Sequence, residues 1–206
     1  MTQKERMLSG KLYIGADEEL RRGFKKSHEL TRRFNQTTED ELDIRREILT
    51  ELLKKVGNNA YIEPPFYCDY GSQITVGDNF YANYYLIVLD QCDIKIGDNV
   101  FIGPRVGIYG AGHPIDAEVR NSQLEFGKPI TIGNDVWIGG NTVINPGVTI
   151  GDNVVIGSGS VVTKDIPSNC IAVGNPCKVL RPITDKDKEY WENERRKYIE
   201  ETTADK

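Results

Sequence analysis

Histidine is scarce in this chain: His28 and His113 are the only two among 206 residues. A zinc centre built on three imidazoles cannot be assembled from two. Basic residues are outnumbered, 26 Lys and Arg against 31 Asp and Glu, for a formal net charge of −5. No basic stripe for nucleic acid is present. Long apolar runs are absent, and nothing approaches the ~18 consecutive apolar residues of a membrane span. The opening, MTQKERMLSGKL, lacks the apolar run of a signal peptide. These absences predict a soluble, cytoplasmic protein with no nucleic-acid or membrane partner. The four cysteines, Cys68, Cys92, Cys170 and Cys177, form no CxxC pair and read as small apolar filler in a reduced compartment.

What is present falls into three regions by pattern. Residues 1–58 read as helical. Asp17 suits a helix N-cap, with Leu20, Phe24, Leu30 and Phe34 beyond it. Thr38-Glu39-Asp40-Glu41 has the form of a capping box, followed by Leu42, Leu49, Leu52, Leu53 and Val56 at helical spacing and Gly57 as a stop. Residues 59–182 instead count in sixes. ITIGND, VWIGGN, TVINPG, VTIGDN, VVIGSG and SVVTKD run without a break from Ile130 to Asp165. A six-residue period fits a short strand with a corner after each, and three such sides close a triangular coil. Stacked coils bury each other's apolar edges, so the predicted fold is mainly β, a parallel β-helix. The charged tail, 183–206, reads as a short helix capped by Thr184 and packed on its own chain, with Tyr190, Trp191 and Tyr198 as its apolar positions.

The repeat assigns residues to sides. Side A takes Val76, Ile96, Ile132 and Ile150; side B takes Ala82, Ile102, Ile138 and Ile156; side C takes Val88, Ile108, Ile144 and Val162. Two extra residues between Val88 and Ile96 are placed in a bulge at a corner. The residue before each column position points outward. On side A these are Thr75, Lys95, Thr131 and Thr149. On side B they are Tyr81, Phe101, Trp137 and Val155, and on side C Ile87, Gly107, Val143 and Val161. Two sides are thus apolar outside, which predicts self-association as a trimer.

The count stops once. Ile108 and Ile132 are 24 residues apart where six are expected, so 18 residues leave the coil, in the excursion 110–129. It carries His113, followed by Asp116, Glu118 and Glu125, any of which could orient the imidazole. An imidazole pKa near 6.5 suits a general base acting on a hydroxyl.

Several segments together resemble the maltose and galactoside O-acetyltransferases of the hexapeptide-repeat acetyltransferase family. They are LYIGADEEL, YIEPPFYCDYGSQITVGDNFYAN, GHPIDAEVRNSQLEFGKPITIGNDVWIGG, NPGVTIGDN, TKDIPSN and GNPCKVLR, with the maltose branch the nearer. The resemblance implies a left-handed β-helix and direct acetyl transfer from acetyl-CoA to a sugar hydroxyl, with no metal. It implies His113 as the base and Asn83 beside the thioester. It places Asp17, Asp69 and Tyr81 on the acceptor side. It places Gly140, Ser158, Thr163, Lys164, Lys178 and Arg181 on coenzyme A, with active sites between subunits of a homotrimer. Gly140 is also a candidate oxyanion donor through its backbone. Galactoside enzymes carry an acid where this chain has Gln91, which disfavours a galactoside acceptor. The rival readings are another small-molecule acceptor on the same chemistry, and a solenoid that only binds a partner.

Overall fold

The structure, a computed structural model, describes residues 1–203, so the last three residues of the expected tail helix lie outside it. Among the described residues five helices are present: α1 (Gln3–Leu8), α2 (Glu18–Asn35), α3 (Leu42–Leu52), α4 (Ala117–Asn121) and α5 (Asp185–Thr203). Asp17 is the N-cap of α2, its Oδ1 accepting from the N–H groups of Glu19 (2.9 Å) and Leu20 (3.4 Å). The full capping box is not at Thr38 but at Thr2 and Glu5, before α1. At Thr38 both the N–H and the hydroxyl donate to the Glu41 carboxylate, at 2.7 and 3.0 Å. The hydroxyl then holds the preceding turn together, and α3 starts only at Leu42. Val56 is not helical either. The chain turns extended at Leu53, and Lys55–Val56 is already the first strand of the coil.

From there three parallel ladders climb. Side A aligns Val56, Val76, Ile96, Ile132 and Ile150, with Ile166 bridged at the top. Side B aligns Ile62, Ala82, Ile102, Ile138, Ile156 and Ala172. Side C aligns Cys68, Val88, Ile108, Ile144 and Val162. The hexapeptide columns are therefore the ladders, and their side chains make one continuous core. Each buried aliphatic stabilises by roughly 1.5–3 kcal/mol. The four cysteines are free and buried.

Corners follow a simple rule on the A–B edge. Asn59, Asn79, Asn99, Asp135, Asn153 and Asn169 all take positive φ, between 52° and 59°. Their short polar side chains tolerate it and bond along the edge, Asn79 Nδ2 to Asn99 Oδ1 at 2.9 Å for example. The B–C edge breaks the rule with Tyr85 (φ 63°) and Arg105 (φ 58°), the guanidinium lying 5.9 Å from the ring centroid.

The N-terminal helices cover neither apolar side; they plug the lower end. Leu30, Phe34, Ile48, Leu49, Leu52 and Leu53 join the same core as the coil interior, with Phe34 edge-on to Phe66. Phe101 and Trp137 stay 53% and 57% exposed on side B. Helix α5 buries no residue. It does not pack on its own chain through its aromatic positions as expected: Tyr190, Trp191 and Tyr198 are all exposed, and the helix is tied back by Asp187 to Arg181. Among the described residues no helix is long and apolar enough to cross a membrane.

Candidate active site

The excursion expected as a loop is a built element. Ala111–Gly112 and Leu124–Gly127 form an antiparallel hairpin, and Tyr13–Ile14 adds a third strand. Tyr13 is buried, and its hydroxyl donates to Glu125 Oε2 at 2.8 Å. Burial, with that carboxylate beside it, pushes the Tyr13 phenol far above its ordinary range. A Cβ on Gly112 would sit 2.7 Å from the Phe126 ring, so only glycine lets the chain pass under it into His113. Beyond His113, the Asp116 side chain caps α4, accepting from the Val119 N–H at 2.9 Å. Arg120 Nη1 donates to the carbonyls of Pro114 and Ile115, both at 2.9 Å. The backbone is thus held on both sides of His113, while its imidazole is exposed. None of the three candidate carboxylates bonds the imidazole within one chain: Glu125 serves Tyr13 and Asp116 serves α4.

Below the excursion, on the same C–A edge, lies a buried polar cluster. The two-residue bulge expected after Val88 is present, and its Asp90 carboxylate is fully buried. It accepts N–H bonds from Asp69 (3.1 Å), Tyr70 (2.8 Å) and Gln73 (3.3 Å). Burial pushes Asp90 up to about 7, against those N–H bonds. Beside it Gln91 donates to Asp69 Oδ2 at 2.5 Å, and the Gln91 Oε1 is buried without a partner. Burial also raises Asp69, with the Gln91 bond opposing. Asp17 joins this end through the segment that follows Tyr13–Ile14, with one carboxylate oxygen already spent on the α2 cap. Sequence reasoning picked Asp17, Asp69 and His113, and the fold brings them to one edge. It assigned no role to Tyr13, and it marked Gln91 only as the position where galactoside enzymes carry an acid.

The other expected residues lie elsewhere. Asn83 turns the B–C corner, its Oδ1 accepting from the Tyr84 N–H at 2.7 Å. Gly140 and Ser158 occupy the same edge higher up, and among the described residues neither N–H has an acceptor. A Cβ on the adjacent Gly139 would lie 2.5 Å from the Ser158 nitrogen, so this edge is stripped to backbone. Tyr81 lies on side B, stacked between Tyr61 and Phe101 with ring centroids 6.1 and 6.4 Å away. Thr163 and Lys164 return to the C–A edge at the top, after the side C strand Val161–Val162. Lys178 and Arg181 sit on an antiparallel strand, Lys178–Pro182, paired to Cys170–Val173. Three positions apart, they would face opposite sides of a regular strand. A register shift leaves Leu180 unpaired, so Lys178 opposes Val173 and Arg181 opposes Ile171, both outward positions. The bulge brings both cations to one face.

The expected site residues therefore fall on two different edges. His113, Asp17 and Asp69 lie at C–A, with Thr163 and Lys164 above them. Asn83, Gly140 and Ser158 lie at B–C, and the cations of the last strand are on the topmost rung of side B. Among the described residues no group of three His, Cys, Asp or Glu side chains converges as metal ligands.

Comparison with known proteins identifies the family of the chain. Residues 6–57 match a family model described as the maltose acetyltransferase hexapeptide capping motif. Residues 129–164 match the six-repeat bacterial transferase hexapeptide, and 93–113 a hexapeptide repeat of succinyl-transferase. The galactoside O-acetyltransferase of Escherichia coli K12 is 48% identical over 191 residues, 93% of this chain and 94% of that protein. The crystal structure of a maltose O-acetyltransferase from Clostridium difficile 630 superposes with a TM-score of 0.88 at 56% identity, covering 89% of this chain and 98% of that one. A galactoside acetyltransferase in complex with coenzyme A gives 0.89 at 48% identity, over 91% and 94%.

Proposed function

Because the chain belongs to the maltose and galactoside O-acetyltransferases, hexapeptide-repeat acyltransferases, we propose that it moves acetyl from acetyl-CoA to a hydroxyl of a maltose- or glucose-type sugar. His113 takes the hydroxyl proton as the sugar oxygen attacks the thioester carbonyl. The Gly140 N–H meets the developing oxyanion, with Asn83 beside the thioester. Collapse breaks the C–S bond, and the departing thiolate receives the proton from the imidazolium. Acceptor and donor are held together, so no acetyl-enzyme forms. Asp17, Asp69 and Tyr81 hold the sugar. Thr163, Lys164, Lys178 and Arg181 hold the coenzyme, alongside the Ser158 N–H. Gln91 stands where galactoside enzymes carry an acid, and its amide is engaged by Asp69, which supports the maltose branch. The four buried thiols fit a cytoplasmic setting.

The observation that carries this reading is the split: an exposed imidazole on one edge, and N–H groups without acceptors on another. A complete site then forms where the C–A edge of one copy meets the B–C edge of the next, in a homotrimer. The test is coenzyme A release with glucose, maltose, galactosides and amino acids as acceptors. Glucose or maltose should be acetylated, and His113→Ala should lower kcat by about 10²–10⁴ with the fold intact. Acetylation of amino acids alone would overturn the sugar reading.

A further inference from the structure

We propose that Asp187, in the first turn of α5, is a positioning residue for the acetyl donor. It fixes the Arg181 guanidinium with one fork committed and the other open to a phosphate of coenzyme A. This rests on the reading above that Arg181 meets those phosphates. Arg181 has five N–H donors. Nη1 donates to the Pro182 carbonyl at 3.0 Å and to Asp187 Oδ2 at 2.7 Å, and Nη2 donates to Asp187 Oδ1 at 2.7 Å. Among the described residues nothing accepts from Nε or from the second Nη2 proton. Those two N–H groups lie in the guanidinium plane along one edge and form a fork that matches two phosphate oxygens.

Asp187 is itself fixed. Its Oδ2 accepts from the Thr184 N–H and from the Thr184 hydroxyl, each at 2.9 Å. The Arg181 guanidinium first, and these Thr184 bonds after it, hold the Asp187 carboxyl well below the usual carboxylate range, so it stays ionised. Packing does not account for the arrangement, since α5 buries no residue. Exposed ion pairs add little to stability. What the knot does achieve is rotamer order in a long side chain, 45% exposed, beside Lys178 on the face made by the Leu180 bulge. An arginine already ordered loses less freedom when it takes a phosphate.

The test compares wild type, Asp187→Ala, Asp187→Asn and Arg181→Ala by calorimetric titration with coenzyme A and with pantetheine, which lacks the phosphates. Acetyl-transfer kinetics with acetyl-CoA are measured alongside. Each Asp187 variant should weaken coenzyme A binding about three- to tenfold, the range for one side chain left unordered. KM for acetyl-CoA should rise in parallel and kcat should hold. Pantetheine binding should not change, and adding Arg181→Ala should make Asp187→Ala no worse than Arg181→Ala alone. Tighter coenzyme A binding in Asp187→Ala would show that Asp187 masks the arginine and would overturn the proposal. So would equal weakening for both ligands. Unchanged binding in Asp187→Ala, with Arg181→Ala weakened, sinks the positioning role alone. Unchanged binding in Arg181→Ala removes the phosphate reading beneath it.

Discussion

Asp90 is one fully buried carboxylate that holds two rungs in register. Its pKa near 7 lies above the roughly 3.9 of an unfolded aspartate. Between about pH 4 and 7 the unfolded chain has lost this proton while the folded chain keeps it. The contribution to stability is therefore full below about pH 4 and is lost as pH rises through about 7. Asp90→Asn cannot titrate, so its denaturation midpoint should fall less than wild type's across that window. Parallel pH profiles of the two would contradict the assignment. At this scale the sequence was partly legible. His113 stood out because histidine is rare and the repeat halts there. Gln91 stood out only through resemblance; that its oxygen is buried without a donor among the described residues is something spacing cannot reveal.

Among the elements, the plug and the excursion divide the labour. The plug closes the lower end of the prism, and Phe34 lies fully buried within it. Phe34→Ala should cost about 3–5 kcal/mol in urea unfolding, far more than a surface change. A cost below about 1 kcal/mol would mean that the end is not sealed there. The excursion is clamped to the plug through Tyr13. Tyr13→Phe removes one hydrogen bond and leaves the Glu125 carboxylate without its donor, at about 1–3 kcal/mol. It should also speed protease cleavage within 110–129, and an unchanged cleavage rate would argue against the clamp. The repeating part of the coil was readable, because six-residue periodicity and ladder register are the same fact, but its first side A strand, Lys55–Val56, was read as helix. The hairpin was not, since its third strand comes from residues 112 positions away in sequence. The start of α3 was misread because the Thr38 hydroxyl can accept from the Glu41 N–H, as an N-cap does, or donate to the Glu41 carboxylate, as it does here, and the motif does not choose. The facing of Lys178 and Arg181 was hidden by a bulge no motif marks.

Across the whole molecule, apolar side chains are exposed in two separate places. Phe101 and Trp137 sit half in water on side B, and Ile115 in the held excursion is 97% exposed. Exposed aromatic positions of this kind suit an interface. The proposed function puts a second copy there, joining one edge to the other. Trp137→Glu should shift the particle from trimer toward monomer in light scattering and abolish transfer together with assembly. A trimer that survives it would place the contact elsewhere. The central claim is that each active site joins one copy's C–A edge to another's B–C edge, and subunit complementation tests it most directly. His113→Ala and Asn83→Ala are each made, shown to be folded and inactive, then unfolded together and reassembled as an equal mixture. Random assembly gives each interface two intact edges in roughly one case in four, so ~25% of wild-type activity should return. No recovery from mixed trimers would place both residues in the same copy's site and contradict the account.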